Sequence, residues 1–284
     1  MRHGVAIRIG PIGFRIGSDW AQPIAALRDL YRDYPTPEIA DFTVRLSAAR
    51  PWRRWVRPSV TIGGDYMLPE AAPLPLAQGL LAAEMGMNLQ LALGGRRFLL
   101  LHASAVERDG RALLMTGESG AGKSTLATLL AAAGWRFMGD EFALLDCATG
   151  EVHAFPRLIS LKNAAIAAAR AAWPDARFGP LLPGTPKGDI RHMVPDARAI
   201  AAMDEAAAPA AILFPRYGFT TAIRAVPPIE AFVRLTQAST NYVALGEAGF
   251  GALTGLVRAV PSIAIDYPDG ATAIDQVEQM WRAL

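Results

Sequence analysis

Residues 117–124 read Gly-Glu-Ser-Gly-Ala-Gly-Lys-Ser and match the phosphate-binding pattern G-x-x-x-x-G-K-[ST] at every fixed position. Glycines allow the backbone to bend until its N–H groups point at an anion, and Lys123 adds a positive charge at the β- and γ-phosphates. Ser124 is left to hold a magnesium ion. The sequence therefore predicts an ATP site with Mg²⁺, whose nucleotide-binding residues are Gly117, Glu118, Ser119, Gly120, Ala121, Gly122, Lys123, Ser124 and Thr125.

The segments on either side predict a strand, loop, helix and strand in succession. Residues 112–116 form an apolar strand, and residues 125–133 form an Ala/Leu-rich helix that Gly134 ends. A phosphate at the start of this helix would also lie at the favourable end of the helix dipole. Residues 135–138 form the next strand, so the pattern predicts an α/β fold.

Two acidic residues follow that second strand. Asp140 lies 140 − 123 = 17 residues after Lys123, and Glu141 comes next. Transfer of a phosphoryl group to a hydroxyl requires bound magnesium and usually a group that receives the hydroxyl proton. We predict that Asp140 receives the proton and that Ser124, Asp140 and Glu141 form the metal shell. An acidic pair after a strand can also merely solvate a turn.

His102 follows a short apolar strand at residues 98–101 and precedes Ala103-Ser104-Ala105. A lone histidine is often a structural residue with satisfied hydrogen bonds. An imidazole beside Asp140 can instead orient that carboxylate or help to move its proton. Both interpretations remain open, and we include His102 among the catalytic candidates.

Composition limits the class of protein. The chain has 284 residues, 52% of them hydrophobic and 19% charged, which suffices for one large domain or two. Its one cysteine excludes an internal disulfide framework and indicates a reducing compartment. The start lacks the apolar core of a signal peptide, and charged residues interrupt the most apolar stretch, 79–101. We predict a cytoplasmic protein without a membrane partner.

Five arginines lie close to Trp52 and Trp55 although the formal net charge is only +2. Such a cluster can contact nucleic acid or an acidic partner. We interpret it as a solvated face above buried tryptophan rings and predict no nucleic-acid partner. The arginines are Arg45, Arg50, Arg53, Arg54 and Arg57.

The first quarter of the chain predicts a smaller α+β domain. Residues 6–17 alternate like a hairpin, residues 21–33 have helical spacing, and residues 41–46 form a strand. A Pro-rich stretch at 65–75 suggests a boundary, which a helix at 76–93 follows. We therefore predict an N-terminal domain, 1–75, that can recruit an acceptor, and a nucleotide-binding domain, 76–284.

Three segments together resemble the catalytic half of HPr kinase/phosphorylase, a bacterial serine kinase of a sugar-transport phosphocarrier protein. They are His102-Ala103-Ser104, the loop 117–124 and Asp140-Glu141, within about residues 97–146. The resemblance implies that Asp140 is the catalytic acid/base and Glu141 a magnesium-associated acid. It also implies a P-loop kinase core akin to the nucleotide domain of phosphoenolpyruvate carboxykinase.

The chain departs from that family in two ways. Glu141 stands where the family has a second Asp, and the downstream Glu-x-Arg-Gly-x-Gly signature has no counterpart, which favours loss of the reverse phosphorylase reaction. Its later segments resemble the divergent HPr-kinase-related kinase A group over nearly the whole chain. The gene context of that group suggests peptides or small proteins as substrates. The segments are 156–163, 185–192, 214–217 and 241–250.

Two cations in the segment 185–192 are further catalytic candidates. Lys187 and Arg191 lie between Pro and Gly residues, so we predict a loop that brings both over a transferred phosphoryl group. A solvated basic loop is the alternative. Lys162 is interpreted as a strand-end or surface residue.

The sequence supports three hypotheses about function. The first is an ATP- and magnesium-dependent kinase that phosphorylates a hydroxyl, in particular a serine of a protein or peptide. The second is a kinase of a small metabolite, and the third is a nucleotide-binding switch that phosphorylates nothing. The acceptor and the assembly state stay open, although HPr kinase forms oligomers.

Overall fold

The chain begins with the predicted hairpin. In the computed structural model, which describes residues 2–68 and 71–284, antiparallel strands β1 (His3–Ile9) and β2 (Ile12–Ser18) form this hairpin. The alternation along it buries Ile7, Ile9 and Phe14 on one side. A sheet in the order β1-β2-β3-β4-β5 extends from the hairpin and contains β3 (Phe42–Ala48), β4 (Ser59–Gly64) and β5 (Leu74–Pro75).

Two helices pack on this first sheet. Helix α1 (Ala21–Leu30) lies against β1 and β2, and α2 (Gly79–Gly94) lies against β3 and β4. The approach of α2 is close, since a Cβ on Gly86 would lie 2.5 Å from Val44 Cγ1. The packing therefore joins residues 79–94 to the N-terminal sheet. The division of the chain near residue 75 stays a prediction.

The remaining elements form a mixed α/β arrangement. The strands are β6 (Phe98–Leu101), β7 (Ala103–Arg108), β8 (Arg111–Thr116), β9 (Arg136–Gly139), β10 (Ala143–Asp146), β11 (Val152–His153), β12 (Ile159–Lys162), β13 (Phe178–Thr185), β14 (Gly188–Met193), β15 (Ala208–Tyr217), β16 (Ala222–Ala225) and β17 (Ser262–Tyr267). The helices are α3 (Lys123–Ala132), α4 (Ala164–Ala172), α5 (Ala197–Ala201), α6 (Pro228–Ala238), α7 (Tyr242–Leu245), α8 (Glu247–Ala259) and α9 (Gly270–Arg282).

A six-stranded mixed sheet in the order β16-β17-β15-β8-β7-β9 lies at the centre of this part. Two three-stranded sheets accompany it, in the orders β11-β10-β6 and β12-β14-β13. Helix α3 packs on the central sheet and also contacts α4 and α9. The Trp281 ring of α9 packs edge-on against the Trp135 ring, with the two ring centroids 4.7 Å apart.

The tryptophans of the arginine cluster are not buried. A short 3-10 helix, Pro51–Arg54, begins the connection between β3 and β4, and Trp52 and Trp55 are 53% and 73% exposed there. The prediction of buried rings is therefore wrong. Within residues 2–68 and 71–284, no helix combines the length and the apolar character needed to cross a bilayer.

Candidate functional site

Four strands of the central sheet end at one edge, where the glycine-rich loop lies. Strands β8, β15 and β17 are parallel neighbours, and β9 runs the same way because β7 is antiparallel to both β8 and β9. Ligands of open α/β sheets bind at the carboxyl ends of strands. A cavity of about 910 Å³ opens at this edge, and Asp140, Tyr217 and Tyr267 line it together with the loop.

The backbone of the loop requires glycine. Gly120 and Gly122 have φ angles of +87° and +95°, a region that side chains with a Cβ rarely adopt. Gly122 immediately precedes α3, and a Cβ there would lie 2.4 Å from Tyr267 Oη. The loop residues that line the cavity are Ser119, Gly120, Gly122, Lys123, Ser124 and Thr125.

The other loop residues hold the loop in shape through their carbonyl groups. Lys123 Nζ donates to the carbonyl oxygens of Gly117 at 2.7 Å and Glu118 at 3.0 Å. Tyr267 Oη donates to the Ala121 carbonyl oxygen at 3.3 Å. Burial lowers the pKa of Lys123, while Asp140 and Glu141 act in the opposite direction. The lysine is thus a buried cation at the start of α3, where an anion is favoured.

Asp140 lies at the end of β9 and is almost fully buried. Its Oδ1 accepts hydrogen bonds from Ser104 Oγ at 2.6 Å and Ser124 Oγ at 3.0 Å, while its buried Oδ2 has no partner among the described residues. Burial and the charge of Glu141 raise the pKa of Asp140, and the two serine hydrogen bonds lower it. A buried carboxylate with one free oxygen can accept a proton or coordinate a cation.

His102 lies next to Glu141 rather than Asp140. Its Nδ1 is 3.7 Å from Glu141 Oε2, and no hydrogen bond between His102 and Asp140 occurs in the part of the chain that the structure describes. The expectation that His102 orients Asp140 is corrected, because β7 begins at Ala103 and directs Ser104 to that carboxylate. The backbone of Glu141 is in the left-handed region, with φ +72°, which residues with a side chain rarely adopt.

Lys187 and Arg191 lie in different environments. Residues 178–193 form the antiparallel hairpin of β13 and β14, which corrects the prediction of a loop over 185–192. Lys187 is in the turn and lines the cavity. Arg191 is in β14, where its Nε donates to the Gly179 carbonyl oxygen at 2.8 Å and its guanidinium stacks on Phe178. Arg191 is absent from the cavity wall because neighbouring strands fix its direction.

Lys162 lines the cavity, although the sequence did not mark it as a catalytic candidate. It ends β12, and both it and Asn163 line the cavity. Because β12 pairs with β14, the strand end lies on the same wall as the Lys187 turn. A short strand ending in lysine carries no signal of its own. The long-range pairing alone reveals the position.

The far part of the cavity is apolar. Small or aliphatic side chains of three helices line it, and none of them was a sequence candidate. They are Leu129 of α3, Ala164, Ala165 and Ala168 of α4, and Ala273 and Ile274 of α9. The cavity therefore joins a cationic end to an apolar end, a combination that suits a nucleotide.

The residues at the cationic end fit a magnesium ion that is shared with phosphates. Magnesium prefers oxygen ligands and is commonly bound by one or two carboxylates together with substrate phosphates. Ser124 Oγ and the Asp140 carboxylate supply such oxygens, and the Glu141 carboxylate lines the same cavity. Among the described residues, no group of three or more His, Cys, Asp or Glu forms a metal centre by itself.

No family model matches this chain, and no curated protein matches it. The chemistry of the cavity is therefore argued from its own residues. They provide an anion-binding helix start, a buried carboxylate with one free oxygen, and lysines on two sides. Such an arrangement can bind a nucleoside triphosphate and accept a proton beside its terminal phosphate.

Proposed function

We propose that this chain is an ATP- and magnesium-dependent kinase that transfers the γ-phosphoryl group to a hydroxyl, in particular a serine of a protein or peptide. In this proposal its core is a P-loop kinase of the HPr-kinase-related kinase A group and acts in the cytoplasm. The observation that carries it is the buried Asp140, whose Oδ2 is free beside the loop of Lys123. A nucleotide switch would use this carboxylate to hold magnesium only, whereas the proposed kinase also uses it to accept a proton.

The proposed roles follow from position. The backbone of residues 117–122 and Lys123 hold the β- and γ-phosphates, and Ser124, Glu141 and Asp140 through Oδ1 would hold magnesium, which would neutralise phosphate charge. Asp140 Oδ2 takes the proton of the acceptor hydroxyl. The hydroxyl oxygen bonds to the γ-phosphorus while the bond between that phosphorus and the leaving oxygen of ADP breaks. Lys187 and Lys162 stabilise the negative charge of the transferred group.

The apolar end of the cavity supports a place for the nucleoside. The nucleoside base is placed against the alanines of α4 and Ile274 of α9, which line the cavity. The cavity volume of about 910 Å³ is in the range of pockets that take drug-sized ligands. The size leaves room for an acceptor side chain beside the phosphates.

Labelled ATP and purified protein test the proposal. We expect Asp140→Asn to bind ATP and to lower transfer to peptide acceptors by a factor of about 100 or more. Asp275→Asn changes an exposed carboxylate on α9 and is the control. Undiminished transfer by Asp140→Asn would refute its role as the base.

The panel of acceptors separates the three hypotheses. Serine peptides, amino acids, sugars and polyols are each offered as the acceptor in a separate reaction. Release of ADP is measured in every reaction. Label on a peptide supports the proposed function, and label on a small molecule alone supports the metabolite kinase. ATP binding with no labelled acceptor supports the switch.

A further inference from the structure

The connection between β3 and β4, residues 49–58, presents an exposed apolar and cationic surface that the proposed kinase site does not use. We call it the Arg/Trp loop. Trp52, Trp55 and Val56 are 53%, 73% and 62% exposed. Exposed large apolar side chains that cluster on one turn commonly mark an interaction site.

All charged residues of the loop itself are positive, and the Asp19 carboxylate lies at its base, where it accepts from Ala48 N. No Asp or Glu occurs between Asp41 and Asp65 in the sequence, and Arg45, Arg50 and Arg57 are exposed. None of these three arginines belongs to an ion pair among the described residues. Their guanidinium groups are therefore available to carboxylates of a partner.

Cations and rings alternate on the loop. The Arg50 guanidinium lies 5.3 Å from the Trp52 ring centroid, and the Arg54 guanidinium lies 5.6 Å from that of Trp55. Arg54 also donates to the Asp19 carbonyl oxygen, which anchors the loop to the first sheet. The surface is consequently held in shape before any partner arrives, which lowers the entropic cost of binding.

Arg57 occupies a position that would suit glycine better. Its φ is +45°, in the left-handed region that residues with a Cβ rarely adopt. The Arg57 carbonyl oxygen accepts a hydrogen bond from Arg53, a contact that any residue at position 57 can make. The fold itself thus gains nothing from an arginine side chain here.

We propose that the Arg/Trp loop binds an acidic segment of a protein partner. All its cations are arginines, which form paired hydrogen bonds with carboxylates. Arginine and tryptophan are enriched in protein interfaces and their energetic centres, where lysine is depleted. Arginine also pairs with phosphates, so an anionic membrane and a nucleic acid are included as outcomes of the test. The proposal stands whether or not the chain is a kinase.

A fluorescein-labelled random copolymer of glutamate and tyrosine, titrated with the full chain, tests this by anisotropy. We expect binding that Trp55→Ala weakens at least fivefold. Arg57→Gly should weaken it at least threefold while the melting temperature stays equal or rises, because glycine relieves the backbone. Arg258→Ala removes an exposed cation of α8 and should leave binding unchanged.

Three outcomes would overturn the proposal. The first is no binding of the copolymer, and the second is equal affinity of the parent, Trp55→Ala and Arg57→Gly. The third is tighter binding to phosphatidylserine vesicles or single-stranded DNA that the same two variants weaken, which would assign the loop to a membrane or to nucleic acid.

Discussion

Ser104 and Asp140 are joined by a hydrogen bond of 2.6 Å between the start of β7 and the end of β9. The two strands are antiparallel neighbours, so the start of one meets the end of the other. The serine hydroxyl thereby fixes one carboxylate oxygen and leaves the second one free. Ser104, rather than His102, is the residue that positions the proposed base.

Removal of this hydroxyl is expected to change the pH dependence of transfer. The Ser104 hydrogen bond lowers the pKa of Asp140 against the effects of burial and Glu141. Ser104→Ala should therefore raise that pKa and move the acidic limb of the kcat/KM profile to higher pH. We expect transfer on this acidic limb to fall by up to about tenfold, the scale of one hydrogen bond to a charged group.

The control for Ser104→Ala is Ser262→Ala, which removes a buried hydroxyl without a hydrogen-bond partner. Its pH profile should coincide with that of the parent. If the acidic limb does not shift in Ser104→Ala, the Ser104 hydrogen bond does not control the pKa of the group that accepts the proton.

Asp140→Asn is expected to stabilise the fold at neutral pH. Burial, followed by Glu141, raises the folded-state pKa of Asp140 above its unfolded value, so the protonated carboxyl favours folding. That contribution is complete below about pH 4, the unfolded pKa, and is lost as the pH rises through the folded-state pKa. The amide side chain of Asp140→Asn is uncharged at every pH and therefore keeps this stabilising contribution throughout.

The melting temperature of Asp140→Asn should therefore exceed that of the parent by about 2–4 °C at pH 8. The difference should vanish near pH 4. Thermal denaturation in buffers across this range measures it, and a difference independent of pH would contradict the argument.

Gly122 and Gly134 form a natural pair for testing the loop, since both have φ +95°. A Cβ added at Gly122 would lie 2.4 Å from Tyr267 Oη. A Cβ added at Gly134 would have no neighbour within 4 Å among the described residues. Gly134→Ala should lower the free energy of unfolding by about 1 kcal/mol through backbone strain alone. Gly122→Ala should cost more and weaken ATP binding at least tenfold.

Tyr267→Phe removes the hydroxyl that collides with the new methyl group. It should recover part of the loss in a Gly122→Ala background and none in a Gly134→Ala background. Urea denaturation and nucleotide titration measure both effects.

Local pattern predicted much of the site, and long-range pairing determined the rest. The order strand, loop, helix, strand and acid could be read from glycine placement and apolar runs around residues 112–141. Strand β7 could not, because Ala103-Ser104-Ala105 has little strand signal until β8 and β9 pair with it. The same limit applies to Arg191, whose direction follows from pairing with residues on β12 and β13.

Lys162 and Arg191 are expected to differ in transfer, contrary to the ranking that the sequence suggested. Lys162 lines the cavity, whereas Arg191 donates to the Gly179 carbonyl oxygen. Lys162→Met should lower kcat about 100-fold, the scale of a lost charge-stabilising donor. Arg191→Met should leave kcat within about twofold of the parent, and steady-state kinetics with ATP decides between them.

Glu84 of α2, the helix that packs on the first sheet, and Arg157, which follows β11, form a buried ion pair. Tyr31 Oη also donates to Glu84 Oε1 at 2.9 Å, and Tyr34 Oη donates to the Pro156 carbonyl oxygen. Glu84→Gln should lower the free energy of unfolding by about 3–5 kcal/mol, because it leaves Arg157 buried without a counter-charge.

The exposed pair of Glu230 and Arg234 on α6 provides the matched control. Glu230→Gln should cost at most about 1 kcal/mol, since water screens both charges. The double variant Glu84→Met, Arg157→Leu should be less destabilised than Glu84→Gln, because neither buried charge remains. Urea denaturation measures all three, and equal costs for Glu84→Gln and Glu230→Gln would show that burial does not make the Glu84–Arg157 pair more important than an exposed one.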